Sequence, residues 1–479
     1  MNKSIIRFLL FKVMQFAGIF LLLPFIVSLI YKETQGIYYL LTGIAVIVLG
    51  TLGSLKKPVS RNFYSKEGYV TVSLAWLILS LVGAIPYSLS GDIPHYVDAL
   101  FETVSGFTTT GASILTDVEA ISMTSMFFRC FTNWIGGMGV LVFMMAVLPL
   151  SGSSNMHLMR AESTGADVSK LVPKVRDSAL ILYGMYLGLS VILVVIYLCL
   201  GTPLYDAFVL SFSTMGTGGF ARYNASLGAY SYGVQVVTLI FMFLCGINFN
   251  AFFLILKKKA KEFFKMEEVR WYFIIALAVS VLVFFQIRNS FGNNSEAFHH
   301  AAFQVVSIMT TTGFATVDFN LWTDFAKALL LLVMLLGGCA GATAGGIKIS
   351  RLIISLKSVD RELNHLTHPR SVKKIRFSGA VLSDETVKNV QSFMIAFIGV
   401  FVVSLIIVFA DNFDFTTSFT SVLSMLGNVG PGLGLVGPTG NFSIYSDASK
   451  LVLIFDMLAG RLEIFPILVL FYPGTWRKA

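Results

Sequence analysis

The sequence predicts an all-α integral membrane protein in which four pseudo-repeats of span, short pore helix, polar filter strip and span surround one pore, preceded by an N-terminal two-helix hairpin. Three observations carry this. Of 479 residues, 56% are hydrophobic and 13% charged, with a mean hydropathy of +0.78, which excludes an ordinary soluble domain. Ten apolar runs are long enough to cross about 30 Å of hydrocarbon as helices. A polar strip recurs four times in register.

The runs are 9–30, 37–54, 69–90, 125–149, 178–200, 233–256, 271–288, 326–350, 391–410 and 449–471. The first is too long for a signal-peptide core and no small-residue cleavage site follows, so it is expected to stay. Lys and Arg gather at residues 3–12, 56–66, 160–176, 257–261 and 351–376, and in the terminal W-R-K. Even numbers of spans separate these clusters, so the positive-inside rule places all of them, with both termini, in the cytoplasm. No aromatic interleaving accompanies the lysines, so nucleic acid is not an expected partner. Cys130, Cys199, Cys245 and Cys339 stand singly and read as packing residues; His365 and His368 lack the further ligands a metal site needs.

The strips align on glycines. Gly111 ends S-G-F-T-T-T-G, Gly219 ends S-T-M-G-T-G-G, Gly313 ends S-I-M-T-T-T-G and Gly430 ends S-M-L-G-N-V-G, so a serine (Ser105, Ser213, Ser307, Ser424) stands six residues upstream each time. Before each strip lies an apolar segment too short to cross: 97–107, 203–214, 297–309 and 414–426. These segments must re-enter. Non-helical backbone survives at membrane depth only inside protein or beside water, so four such strips are expected to face one aqueous path. Carbonyls and hydroxyls there replace the water shell of a cation, glycine frees the backbone to aim them, and the preceding helices point their negative ends at the ion. The expected ion-binding residues are Thr108, Thr109, Thr110 and Gly111; Gly218 and Gly219; Thr310, Thr311, Thr312 and Gly313; and Asn428, Val429 and Gly430. The second strip has Gly216 and Gly218 where the first and third have threonine, so hydroxyl ligation is not expected there.

Residues 337–348, G-G-C-A-G-A-T-A-G-G-I-K, hold Gly337, Gly338, Gly341, Gly345 and Gly346. Each costs a helix roughly 1 kcal/mol relative to alanine, so the run should break in mid-membrane or else pack closely through its small residues. Lys348 either snorkels or faces the pore. Arg461, inside F-D-M-L-A-G-R-L-E-I-F-P, needs partners or water. It faces the lower pore as a barrier or serves as an ion-pair partner, and Arg129 has Glu102 as a candidate partner.

The four units, with T-T-T-G-A-S, S-T-M-G-T-G-G-F, T-T-T-G-F and G-N-V-G-P-G-L-G, resemble the Trk/Ktr/HKT superfamily of potassium transport proteins. The hairpin at 5–54 makes the bacterial TrkH type the most similar. The resemblance implies that the four strip glycines select K⁺, the transported ion and sole metal expected. It also implies that glycine rather than serine at 111 favours K⁺ over Na⁺, that 337–348 is a gating loop beneath the filter, and that Arg461 faces the lower pore. It implies a homodimer in a bacterial inner membrane and a cytosolic TrkA-type ring. No nucleotide motif is present in the chain, so no cofactor is expected in it and ATP/ADP or NAD would act on that ring. The basic loops 151–177, 257–270 and 351–388 are its expected docking sites. Expected divisions are 1–67 (hairpin), 68–177, 178–269, 270–389 and 390–479 (pore repeats 1 to 4). No nucleophile–base set points to an enzyme. A K⁺ symporter coupled to H⁺ or Na⁺, or a Na⁺-permeable member of the superfamily, is the alternative.

Overall fold

The protein is described from a computed structural model covering residues 1–58, 63–139 and 175–477. The second half of the fourth predicted span, from residue 140, and most of the basic loop 151–177 lie outside the described residues.

The helices follow the predicted order. The hairpin is α1 (Lys3–Tyr31) and α2 (Gly36–Ser54), and α3 (Ser65–Ser90) is the first span of the first unit. Small residues set the hairpin's close contact: a Cβ on Gly18 would lie 2.6 Å from the Gly43 carbonyl oxygen, and one on Gly50 would lie 2.7 Å from that of Phe11. Glu33, between the two helices, accepts hydrogen bonds from the backbone N–H groups of Met123 (2.8 Å) and Thr124 (2.9 Å) at the start of α5 (Met123–Met138). A carboxylate on unsatisfied first-turn donors docks the hairpin on the first unit.

The four short segments are helices: α4 (Tyr96–Phe107), α7 (Leu204–Gly216), α12 (Asn294–Met309) and α16 (Phe415–Gly427). The long helices that open the other units are α6 (Val175–Cys199), α11 (Glu267–Ile287) and α15 (Asp384–Val408). They carry wide apolar faces toward lipid, with Leu277 63% and Ile395 73% exposed.

The second spans of the second, third and fourth units are each interrupted. In the second unit α8 (Tyr232–Cys245) and α9 (Phe249–Leu256) meet at 96°. In the third, α13 (Asp324–Leu336) stops at the glycine-rich run, and a new helix, α14 (Ile349–Thr367), leads into the basic segment. In the fourth, α17 (Asp447–Arg461) ends at Arg461 and α18 (Phe465–Phe471) begins after Glu463 and Ile464, both at positive φ (57° and 65°). The predicted spans 233–256 and 449–471 are therefore broken, and only the third break was legible in advance. The starts of these spans are better specified: Ser122, Thr323 and Ser446 cap α5, α13 and α17 through their side chains. A short helix α10 (Ala260–Lys265) precedes α11, and a two-residue hairpin, β1 (Arg376–Phe377) with β2 (Ala380–Val381), follows α14. Cys130, Cys245 and Cys339 are buried as expected; Cys199 is exposed at the end of α6, not packed.

Candidate functional site

Each short helix runs directly into its strip, and the strips share one backbone path. Thr109, Thr217, Thr311 and Asn428 all have φ between 52° and 55°, and the glycine two residues on is also positive in each, from 72° to 102°. The residue before each glycine returns its N–H to the carbonyl of the upstream serine: Thr110 to Ser105 (2.9 Å), Gly218 to Ser213 (2.9 Å), Thr312 to Ser307 (2.8 Å) and Val429 to Ser424 (2.9 Å). Three serine hydroxyls also reach the glycine or the residue after it, Ser105 to Ala112 O (2.6 Å), Ser307 to Phe314 O (2.7 Å) and Ser424 to Gly430 O (2.9 Å). The repeated serine is a clamp that holds the strip in a tight loop.

The glycines show how the strips meet. A Cβ on Gly111 would lie 2.3 Å from Gly218 O, on Gly219 1.9 Å from Thr312 O, on Gly313 2.3 Å from Val429 O, and on Gly430 2.6 Å from Thr110 O. Each glycine thus abuts the carbonyl of the next strip, and the fourth returns to the first. The cycle is closed. On the side of the loops that follow the strips, a cavity of about 160 Å³ is lined by Gly111, Gly219, Gly313 and Gly430 together with Asn224 and Asn441. Asn224 also donates to Asp117 Oδ1 at 2.7 Å, tying the loops after the first two strips and holding Asp117 below the usual carboxylate range.

Most of the strip hydroxyls are engaged in hydrogen bonds of their own. Thr108 bonds Val104 O (2.7 Å) and the Thr110 hydroxyl (2.7 Å), and Thr310 bonds Val306 O (2.8 Å) and the Thr312 hydroxyl (2.8 Å). Asn428 Nδ2 reaches Thr110 Oγ1 at 3.0 Å and Met457 O at 2.8 Å. These side chains brace the strips from behind. Thr109 Oγ1 and Asn428 Oδ1 are buried with no hydrogen-bond partner among the described residues.

Two ion pairs hold the loops beyond the strips. Glu102 meets Arg129 Nε at 2.5 Å and accepts from Ser113 Oγ (3.1 Å) and Ile114 N–H (3.0 Å), while Arg129 donates to Ala221 O (3.1 Å) and lies 3.6 Å over the Phe220 ring. Asp206 holds Arg222. Both Glu102 and Arg129 are buried. Arg129→Gln therefore strands a carboxylate, and should lower stability by about 3 to 5 kcal/mol; a melting temperature unchanged from wild type would show that Glu102 does not depend on it.

Beneath the strips lies the glycine-rich stretch. It is a loop closed at its neck, where Lys348 N–H bonds Leu336 O at 2.9 Å, with positive φ at Gly337, Gly341, Gly346 and Lys348. Cys339 N–H donates to Gly246 O (2.9 Å), and Phe249 N–H donates to Gly341 O (3.1 Å), so the loop seats in the bend between α8 and α9. Gly345 N–H reaches the Thr311 hydroxyl (2.6 Å), the Thr343 and Thr217 hydroxyls are 3.2 Å apart, and a Cβ on Gly345 would lie 2.5 Å from Gly427 O. A Cβ on Gly338 would lie 2.7 Å from Ala344, within the loop itself. The loop touches the underside of the second, third and fourth strips.

Lys348 is buried with Nζ donating to Ala344 O, so it does not snorkel. Arg461, 8% exposed, donates to Thr343 O (2.7 Å), Gly137 O (2.9 Å) and Gly136 O. It ties the loop to the end of α5. Glu463, two residues on, pairs with Arg351 at the start of α14. Sequence reasoning also passed over Glu268, whose Oε1 accepts from Ala340 N–H (2.7 Å) in the loop and Ser350 N–H (3.1 Å) beyond it. The available signal was an acid pair, Glu267 and Glu268, opening an apolar span amid lysines. His95, Asp98 and Asp447 form the one metal-like cluster among the described residues, and Lys450 Nζ already stands 2.5 Å from Asp98.

Comparison with known proteins agrees with this architecture. The family model TrkH, described as a cation transport protein, matches residues 38–477. The chain is 34% identical to the Trk system potassium uptake protein TrkH of Vibrio parahaemolyticus and 35% to that of Salmonella typhimurium, each over 99% of both chains. It is 32% identical to the Trk system potassium uptake protein TrkG of Escherichia coli over 95% of both. The crystal structure of the potassium transporter TrkH from Vibrio parahaemolyticus superposes with a TM-score of 0.88 at 33% identity, covering 99% of each chain. Matched along nearly its whole length in sequence and in structure, the chain belongs to the TrkH family of cation transport proteins.

Proposed function

We propose that the chain is the pore subunit of a K⁺ uptake system in a bacterial inner membrane, with both termini cytoplasmic and the four strips as its selectivity filter. The observation that supports this reading is the closed cycle of glycines and carbonyls, in which the carbonyls of Thr110, Gly218, Thr312 and Val429 each abut the glycine of a neighbouring strip. Their carbonyl oxygens replace the water of a dehydrating cation. The ends of α4, α7, α12 and α16 add negative partial charge beside them. The four units divide the chain near 177, 269 and 389. Uptake is driven by membrane potential, worth about 2.3 kcal/mol per charge per 100 mV.

The glycine-rich loop is the gate in this reading, and Arg461 holds it closed. Regulation comes from a cytosolic TrkA-type ring carrying the nucleotide, ATP/ADP or NAD, docked on 257–270 and 351–388 of a homodimer. K⁺ flux into liposomes containing the purified chain tests the transport reading: flux should follow an imposed potential without a Na⁺ or H⁺ gradient, and a strict requirement for either gradient would refute it. Deleting residues 338–345 removes the contacts to Gly246, Thr311 and Arg461 together. It should raise flux about tenfold or more, the equivalent of lowering a barrier by about 1.4 kcal/mol; wild-type flux in a folded deletion protein would make the stretch a packing seam.

A further inference from the structure

The first turn of α11 presents two adjacent carboxylates to two different parts of the protein. Glu267 faces the cytosolic segment. Its Oε1 lies 2.5 Å from Lys357 Nζ on α14, its Oε2 accepts from Ser378 N–H at 3.3 Å, and its own N–H donates to Ser378 Oγ at 3.1 Å. Ser378 is the turn of the β1–β2 hairpin, and Lys357 also reaches the carbonyl of Arg376 in that hairpin at 2.8 Å. Glu268, only 3% exposed, faces the other way. One of its oxygens draws together Ala340 in the loop and Ser350 in the first turn of α14.

From this juxtaposition we propose that Glu267 and Glu268 are a positioning pair through which the cytosolic hairpin 376–381 sets the position of the intramembrane loop. The proposal rests on reading that loop as the gate. A buried carboxylate that accepts two N–H groups fixes the donors' separation, because losing it strands both donors and losing either donor strands the charge. Adjacent residues in one helical turn move together, so force on the hairpin that tilts or withdraws Glu267 also moves Glu268. The loop's apex and the start of α14 are then pulled at once. The hairpin lies in the basic segment where a cytosolic regulator is expected, and the pair needs no contact between that regulator and the pore.

Cys339, buried beside Ala340, reports on the loop directly. In liposomes containing the full chain with Cys130, Cys199 and Cys245 replaced by alanine, the rate of Cys339 modification by a small thiosulfonate and the K⁺ flux are measured together. Glu268→Ala should speed modification and flux by about 5- to 150-fold, the usual range of coupling between sites. Glu268→Gln, which keeps an acceptor oxygen, should fall between Glu268→Ala and the parent. The decisive variant is Glu267→Ala, since Glu267 makes no hydrogen bond to the loop among the described residues: it too should speed Cys339 modification. Parent rates of modification in Glu267→Ala, or continued protection of Cys339 in folded Glu268→Ala or Glu268→Gln, overturn the proposal. Faster modification with unchanged flux supports the pair and instead overturns the gating role of the loop.

Discussion

Gly111→Ser is expected to lower the K⁺/Na⁺ permeability ratio about tenfold or more while leaving the protein folded. Two costs act at this position. Its φ of 79° is one that side-chain-bearing residues hold only under strain, worth about 1 to 3 kcal/mol. A Cβ would also stand 2.3 Å from Gly218 O. The added atom cannot be accommodated unless the second strip's carbonyl retreats, so the oxygen that gives way is one proposed to hold the ion. Discrimination between K⁺ and Na⁺ depends on the number and placement of these oxygens, and a difference of about 1.4 kcal/mol between the two ions is a factor of ten. Paired reversal-potential measurements in K⁺ and Na⁺ read the ratio. A ratio equal to wild type in a protein with native melting behaviour would remove Gly111 from the filter. Gly219→Ser should be harsher, because its Cβ would stand only 1.9 Å from Thr312 O.

Arg461→Gln should increase K⁺ flux by a similar order, for two reasons that a second substitution separates. A fixed positive charge about 10 Å from a cation's path, at an effective dielectric constant of about 20, raises the barrier by roughly 1.7 kcal/mol. Glutamine removes that charge. The guanidinium also spans carbonyls of two units, Thr343 in the loop and Gly136 and Gly137 at the end of α5, a planar fork that a single ammonium does not reproduce. Arg461→Lys keeps the charge and loses most of the bridge. If the charge is the barrier, lysine should conduct like wild type; if the bridge is the latch, lysine should conduct nearly like glutamine. Thermal stability and flux are read on the same samples. A destabilised glutamine protein with no gain in flux per folded molecule would make Arg461 a structural residue alone.

The sequence made the membrane class, the hairpin, the four short helices and the register of the strips legible, because each rests on composition or on a repeat. The breaks were less legible. Five glycines announce the loop at 337–348, but only Gly246 and Asn248 mark the 96° bend between α8 and α9. Pro466 alone marks the break beside Ile464, a β-branched residue at φ 65° that tertiary packing must hold. The threonines illustrate a different limit. Thr108 and Thr110 look equivalent to Thr109 in sequence, yet they bond each other while Thr109 Oγ1 has no partner among the described residues. Which face of a strip looks inward depends on backbone dihedrals that composition does not encode. Long-range pairs such as Glu268 with Ala340 are similarly invisible, since an acid among lysines reads as charge balance until the loop is brought to it.

The closing contact from Gly430 back to Thr110 has a consequence for how such a ring can vary. A ring assembled from four identical chains receives every substitution four times, so any change at the ion path is all or nothing. Here one polypeptide supplies all four quadrants, and each can drift alone. The second carries glycine at two places where the first has threonine, and the fourth carries Asn-Val where the first has Thr-Thr. Graded conduction phenotypes, a single altered quadrant beside three intact ones, are therefore open to selection and to the engineer in a way that strict rotational copies forbid.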